Sequence, residues 1–196
     1  MNRIETVSAQ QLPYTFRPGC PVAVRDLAEV TFDHLGFNGA QHEGRIIVHQ
    51  AIAGAFLEAM AAARDLGFPI RQAVPIDDAA FRGDDEASMA ADNSSGFNYR
   101  TIAGTDTVSM HALGLAVDIN PVLNPYLAHD GVWYPEATHI ERVTRPGVFT
   151  SDHPLTAAFI ELGFEWGGSW DRPDYHHFQW AGPLPGPRYL RPGAPQ

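Results

Sequence analysis

Lysine is absent from this 196-residue chain, and cysteine occurs once, at Cys20. All 13 basic side chains are therefore arginines, set against 23 acidic ones, for a formal net charge of −10. That balance excludes a duplex nucleic acid as the expected partner, because phosphate binding needs a surplus of cations. The absence of lysine also looks like the composition of a GC-rich genome. One cysteine closes no intramolecular disulfide, and with no histidine near it in sequence it is a poor nucleophile. Charge of either sign is scarce, at 18% of residues, against about 25% in an average soluble domain. Even so, no apolar run approaches the roughly 18 residues that a membrane span needs. Residues 1–16 lack a basic start followed by an apolar stretch, and no such stretch precedes Cys20. The sequence thus predicts either a protein not exported by that route or a numbering that begins after a removed segment.

What is present suits a core of ordinary size: 44% hydrophobic residues, with 18 Gly and 16 Pro as punctuation. With no internal repeat or linker, the expectation is one α+β domain over 1–196, monomeric. Residues 1–40 show no sustained period and predict an irregular arm with a short extended piece at 22–24. From 44 to 66, Ile47, Val48, Ala51, Ile52, Ala55, Phe56 and Met60 recur at helical spacing, and Gly67 follows as a stop signal. This predicts one long helix whose stripe packs on a sheet, with His49 packed or exposed rather than ligating. Residues 68–76 read as a short edge strand, and the acidic segment 77–92 as a solvated loop. Three short apolar segments, 97–102, 113–119 and 176–180, read as strands of a small sheet. A second helix is expected over 155–163, and a Pro-rich extended tail from Pro183 onward.

Nine histidines invite a metal hypothesis, but only spacing gives it content. His111 and Asp118 stand seven residues apart around Gly114. In an unbroken strand an odd separation sends two side chains to opposite faces, so a turn or bulge at Gly114 is needed for them to converge. Downstream, Asp174-Tyr175-His176-His177 sets an acid three positions before a histidine. A zinc hydrolase needs three N or O ligands, an open position for water and a separate carboxylate for that water's proton. His111, Asp118 and one member of the histidine doublet supply the ligands, and Asp174 is left as the base. Spacing alone leaves open the alternative of an ordinary hydrogen-bonded His111–Asp118 pair with the doublet at a polar strand end.

The run Ser109-x-His111-x-x-Gly114-x-Ala116-x-Asp118, followed by Asp174-x-x-His177, resembles the zinc peptidases of the D-alanyl-D-alanine carboxypeptidase (VanY-like) and L-alanyl-D-glutamate peptidase group, which share a fold with the hedgehog signalling domain. Tyr99-Arg100, Asn120-Pro121, Asn124-Pro125-Tyr126 and Gly163-Phe164-x-Trp166-Gly167-Gly168-x-Trp170 extend the resemblance over about 44–182. It implies a small antiparallel sheet carrying one Zn2+ on His111, Asp118 and His177 and packed on helices. Asp174 would be general base or acid, and Arg100 the oxyanion donor. Many relatives carry Glu at the position of Asp174. His177 is preferred to His176 because it falls third after Asp174 and keeps the order His-Phe-Gln. Ser109, Tyr99 and Trp180 are the expected substrate contacts, with Trp166 and Trp170 as further groove candidates. His129, His139 and His153 are expected to be exposed or to cap local structure.

The function implied is hydrolysis of a peptidoglycan stem peptide, read as a D-alanyl-D-alanine carboxypeptidase with an L-alanyl-D-glutamate endopeptidase as the alternative, and with the cell envelope or exterior as the expected location. A non-catalytic zinc-binding module is the rival, although such a module has no need of Asp174 and Arg100. A carboxypeptidase also needs a hydrogen-bond or cationic site for the terminal carboxylate in addition to Arg100, and Arg71 and Arg172 are candidates for such a cation, whereas an endopeptidase needs a groove open at both ends.

Overall fold

Two nine-residue strands, each buried on both faces over part of its length, shape the first half of the molecule. The computed structural model describes residues 2–102 and 104–183. Strands β1 (Arg3–Thr6), β2 (Leu27–Leu35) and β3 (Gln41–His49) form an antiparallel sheet in that order, β2 and β3 pairing from Leu27↔His49 to Leu35↔Gln41. Ala28, Val30, Phe32, Ile46 and Val48 point into the main core, while Leu27 and Ile47 point to the other face. There they meet Val7, Leu12, Val22 and Phe97.

The first forty residues therefore do not form an irregular arm. They contribute β1 and β2, and the connection between these strands carries the apolar side chains that seal the far face. Nor does a helix begin at Gly44. Ile46-Ile47-Val48 is a β-branched run buried on both faces of a sheet, which a helical template also fits when periodicity alone is read. Helix α1 spans Gln50–Asp65, and His49 is its N-cap, its ring Nδ1 accepting from Ala51 N at 3.0 Å. Ile52, Phe56 and Met60 lie on the buried stripe of α1, in the core it shares with β2 and β3.

Next come β4 (Gln72–Ala73), α2 (Asp85–Ala90) and β5 (Asn93–Ser94), with β4 and β5 parallel. The acidic segment thus contains a short helix, capped by Asp84 accepting from Ala87 N. Residues 97–102 make no strand, only a bridge from Thr101 to Val108, and Phe97 is buried in the second core. The chain continues through β6 (Ala116–Asp118), β7 (Tyr126–Leu127), β8 (Trp133–Tyr134), α3 (Pro154–Glu161), β9 (Phe164–Trp166) and β10 (His177–Trp180). The expected strand over 113–119 shrinks to β6 because 110–113 is a 3-10 turn. Helix α3 starts one residue before the expected span 155–163, ends two residues short of its end, and is capped by His153. The Pro-rich tail from residue 184 lies outside the described residues.

An antiparallel sheet in the order β6-β10-β9 carries the site, and β7-β8 is a separate hairpin beside it. The inner face rests on aromatics: Phe178 stacks on Phe159 of α3 at 4.1 Å and meets Phe149 at 4.8 Å. The architecture is α+β. Among the described residues no helix is long and apolar enough to cross a membrane.

Gly114 joins the two halves. Its φ of +66° is left-handed, its carbonyl accepts from His49 N at 2.7 Å, and a Cβ there would lie 2.7 Å from that nitrogen. Left-handed backbone costs a non-glycine residue about 1–2 kcal/mol before any collision is counted. Gly114→Ala should therefore lower the thermal midpoint by several degrees, at about 2–4 °C per kcal/mol for a chain of this size. Calorimetry checks this, and an unchanged midpoint would show that the turn relaxes freely.

Candidate metal centre and cleft

Ser109 starts the local structure that aims His111. Its hydroxyl oxygen accepts from His111 N at 3.2 Å and caps the 3-10 turn Met110–Leu113, which Gly114 ends. The chain reverses there into β6, so the odd spacing from His111 to Asp118 is absorbed by the turn. Asp118 exchanges both backbone hydrogen bonds with Ser95 on one side. On its other side it faces His177 of β10 in register. That pair is therefore the non-hydrogen-bonded kind, in which facing side chains approach most closely.

The three side chains meet in the interior. His111 Nε2 lies 3.1 Å from Asp118 Oδ2, His177 Nδ1 lies 2.9 Å from Asp118 Oδ1, and the two ring nitrogens are 3.2 Å apart. They are 3%, 3% and 8% exposed for His111, Asp118 and His177, so water cannot stand in for a missing partner. A tetrahedral ion bonded at about 2.0–2.1 Å has ligand–ligand edges of about 3.3 Å, and the observed spacings nearly match.

The outer bonds fix the tautomers. His111 Nδ1–H donates to Gly96 O at 2.7 Å, which leaves Nε2 a lone pair facing inward. His177 Nε2 faces Gln179 Oε1 at 3.3 Å, so its Nδ1 is the free donor to an ion. Gln179 in turn donates to Glu165, which also accepts from Trp170 Nε1 at 2.7 Å. Such outer partners orient ligating histidines and hold their tautomer.

Electrostatics agree with a site built for a cation. Burial pushes the Asp118 carboxyl up, but His111, His176 and His177 outweigh it and hold the group well below the usual carboxylate range. Burial pushes His177 down, and the hydrogen bond and charge of Asp118 raise it above its ordinary value. The carboxylate thus draws a positive charge to the cluster, either a proton or a metal. His111, Asp118 and His177 could hold a metal ion.

The histidine doublet diverges. His176 donates through Nδ1 to Asn124 O at 2.7 Å, and its Nε2 lies 3.1 Å from Asp174 Oδ1 and 3.9 Å from Asp118 Oδ2. It stands behind Asp174 rather than in the triad. Asp174 is placed by its backbone: its N–H donates to Gly167 O at 3.0 Å, and a Cβ on Gly167 would come within 2.8 Å of Asp174 O. Gly167 is thus a close-approach glycine.

Asp174, Arg100 and the triad line one cavity of about 620 Å³, together with Ser109, His176 and Trp170. Arg100 is not alone there, because its Nε lies 3.0 Å from Asp85 Oδ2, and Asn98 donates to the other Asp85 oxygen at 3.3 Å. Tyr126 also lines the cavity, its phenol pushed up to about 12 by burial and by the charges of Asp174 and Asp85.

Other expectations fall elsewhere. The Tyr99 ring packs into the second core with Arg17 5.3 Å over it, and Trp180 packs on Phe164 and donates to Pro183 O, so neither lines the cavity. Trp166 is buried in the core. Arg71 faces Asp92 and Phe37, away from the cavity, whereas Arg172 and the exposed His129 line it. Asp85 and Tyr126 are cavity residues that sequence reasoning did not single out. Asp85 was one carboxylate among many in an acidic run, and Tyr126 offered only a turn motif.

Removing a ligand should empty the site. In purified protein His111→Ala and His177→Ala should lose bound metal by elemental analysis, and His176→Ala should keep it. A metal-free His176→Ala beside a loaded His177→Ala would reverse the ligand assignment.

Residues 103–180 match a family model described as D-alanyl-D-alanine carboxypeptidase. No curated protein and no solved structure matches the chain significantly. The match spans His111, Asp118, Asp174 and His177 and stops short of Arg100 and Asp85. Together with the buried His–Asp–His cluster it supports a metallopeptidase.

Proposed function

We propose that this chain is a zinc metallopeptidase that hydrolyses peptidoglycan stem peptides, removing the terminal residue from D-Ala-D-Ala, on a hedgehog-like zinc peptidase fold. The observation that carries the reading is the convergence of an N,N,O triad with a separate carboxylate and a guanidinium on one cavity. Two imidazoles and a carboxylate are a donor set that suits zinc, and as three protein ligands they would leave a position for water. Zinc held there supplies Lewis acidity, activating water near neutral pH and polarising the scissile carbonyl.

The protein's own groups do the rest. Asp174 takes the proton of the attacking water and returns it to the leaving amine, with His176 behind it to limit its rotation. Its side chain is one methylene shorter than Glu, and the contact between Gly167 and the Asp174 backbone sets how far it reaches. Arg100 faces the developing oxyanion, and Asp85, 3.0 Å from its Nε, offsets part of its charge. Tyr126 keeps its hydroxyl proton at any physiological pH and is a donor on the cavity wall. A module that only binds zinc would need neither Asp174 nor Arg100. Acting on this substrate places the protein in the cell envelope or outside it.

Zinc-loaded protein incubated with a muropeptide ending in D-Ala-D-Ala should release one D-Ala, seen by mass spectrometry. A cut between L-Ala and D-Glu with the terminus intact would replace this reading with an endopeptidase. Asp174→Asn should retain zinc and lose about 10²-fold or more in kcat, the usual scale of a general base. Full turnover in the zinc-loaded variant would remove Asp174 from that role. Arg100→Lys should lower kcat more than it raises KM, since an ammonium lacks the planar fork. Wild-type kinetics in Arg100→Ala would return that residue to a plain ion pair with Asp85.

A further inference from the structure

Two guanidinium groups line the cavity, and they are differently engaged. Arg100 is paired with Asp85 at 3.0 Å. Arg172 donates one Nη to Ala128 O at 2.9 Å and forms no ion pair with any carboxylate among the described residues. An anchored cation facing a cavity with no anionic partner is half of a charge-assisted contact.

Its position along the chain is informative. Residues 173–175 run antiparallel to 125–127: Leu127 N donates to Pro173 O at 2.9 Å, Tyr175 N donates to Pro125 O at 3.3 Å, and Tyr126 faces Asp174. Continuing that register sets Arg172 opposite Ala128, which the guanidinium bond to Ala128 O bears out. Alternation along an extended segment then puts Arg172 and Asp174 on one side, their Cα atoms roughly 6.5–7 Å apart. In a substrate, successive Cα atoms are about 3.8 Å apart. A carboxylate ending the residue just past the bond attacked beside Asp174 therefore lies within the span from Asp174 to the Arg172 side chain. A chain continuing for several residues would have to pass Arg172 with no anion to offer it.

We infer that Arg172 is the residue that recognises the free terminal carboxylate of the substrate, and so sets the protein's preference for cutting one residue from a chain end. This rests on the peptidase reading above and adds which cation reads the terminus. The Ala128 carbonyl holds the guanidinium by one edge, leaving its remaining N–H groups for a carboxylate. Asp171, the neighbour that also lines the cavity, makes no ion pair with it and disfavours anions that approach from its side.

The test is binding, measured by calorimetry on the full-length, zinc-loaded Asp174→Asn protein so that no turnover intervenes. The probes are N,N′-diacetyl-L-Lys-D-Ala-D-Ala and its C-terminal amide. The acid should bind about tenfold or more tightly than the amide, the scale of a hydrogen bond to a charged group. Adding Arg172→Gln should bring the acid down to the level of the amide and leave amide affinity and zinc content unchanged, and Arg172→Lys should retain part of the preference. An acid-to-amide ratio that Arg172→Gln does not change, or equal affinities before that substitution, overturns the assignment while leaving the peptidase reading in place. Failure of the parent protein to bind either peptide overturns the peptidase reading itself, and this inference with it.

Discussion

A carboxylate cut off from water must be compensated, and at Asp118 that requirement organises the surrounding structure. Leaving such a group charged and unpartnered in the interior costs several kcal/mol. Asp118 is 3% exposed, and its two oxygens lie 2.9 Å from His177 and 3.1 Å from His111. Each histidine has its remaining nitrogen tied off, one by Gly96 O and the other by Gln179. Every polar atom on the cluster's rim is therefore committed, and the open valence points inward.

Legibility in the sequence follows the range of the interactions. The local features were readable: Gly114 as the turn that lets His111 and Asp118 meet, His153-Pro154 as a helix start, and the histidine third after Asp174 as the member of the doublet that joins them. The first two rest on contacts within ten residues, and the third on motif spacing alone. The arm was misread because the partners of Val7, Leu12 and Val22 are Leu27, Ile47 and Phe97, and no periodicity over residues 1–25 reveals what lies across a sheet. The helix boundary was misread for a related reason. Burial on both faces erases the alternation by which a strand is recognised, and Ile46-Ile47-Val48 is buried on both. Asp85 was invisible because its significance is its distance from Arg100, and Tyr99 and Trp180 looked like wall residues because an aromatic ring carries no mark of the side it will pack on.

The hairpin β7-β8 and the segment before β10 have a joint role. Tyr126 stacks on Tyr134 at 5.6 Å and meets the His176 ring edge-on at 5.6 Å. Trp133 stacks on Tyr175 at 5.7 Å. Arg142 lies 4.2 Å over the other aromatic in this layer, Tyr175, and also holds Asn124, whose carbonyl orients His176. Burial lowers that guanidinium to about 10, still far above neutrality, so it stays a cation among carbonyl acceptors. A wall of one outer hairpin is thus tied to the residue that backs the carboxylate Asp174.

The three residues that could hold a metal ion have a further property by virtue of where they lie along the chain. His111 and His177 are 66 positions apart, and Asp118 and His177 are 59. An ion held by all three would be a clasp over those intervals, in a chain whose lone Cys20 allows no intramolecular disulfide. Closing such loops removes freedom chiefly from the unfolded ensemble, with an effect that grows only slowly with length. The clasp can also be undone by competition for the ion rather than by reduction. Metal supply in the surroundings would then set the working lifetime of the molecule as well as its activity, and a chelating environment would expose it to unfolding and proteolysis where a reducing one would not.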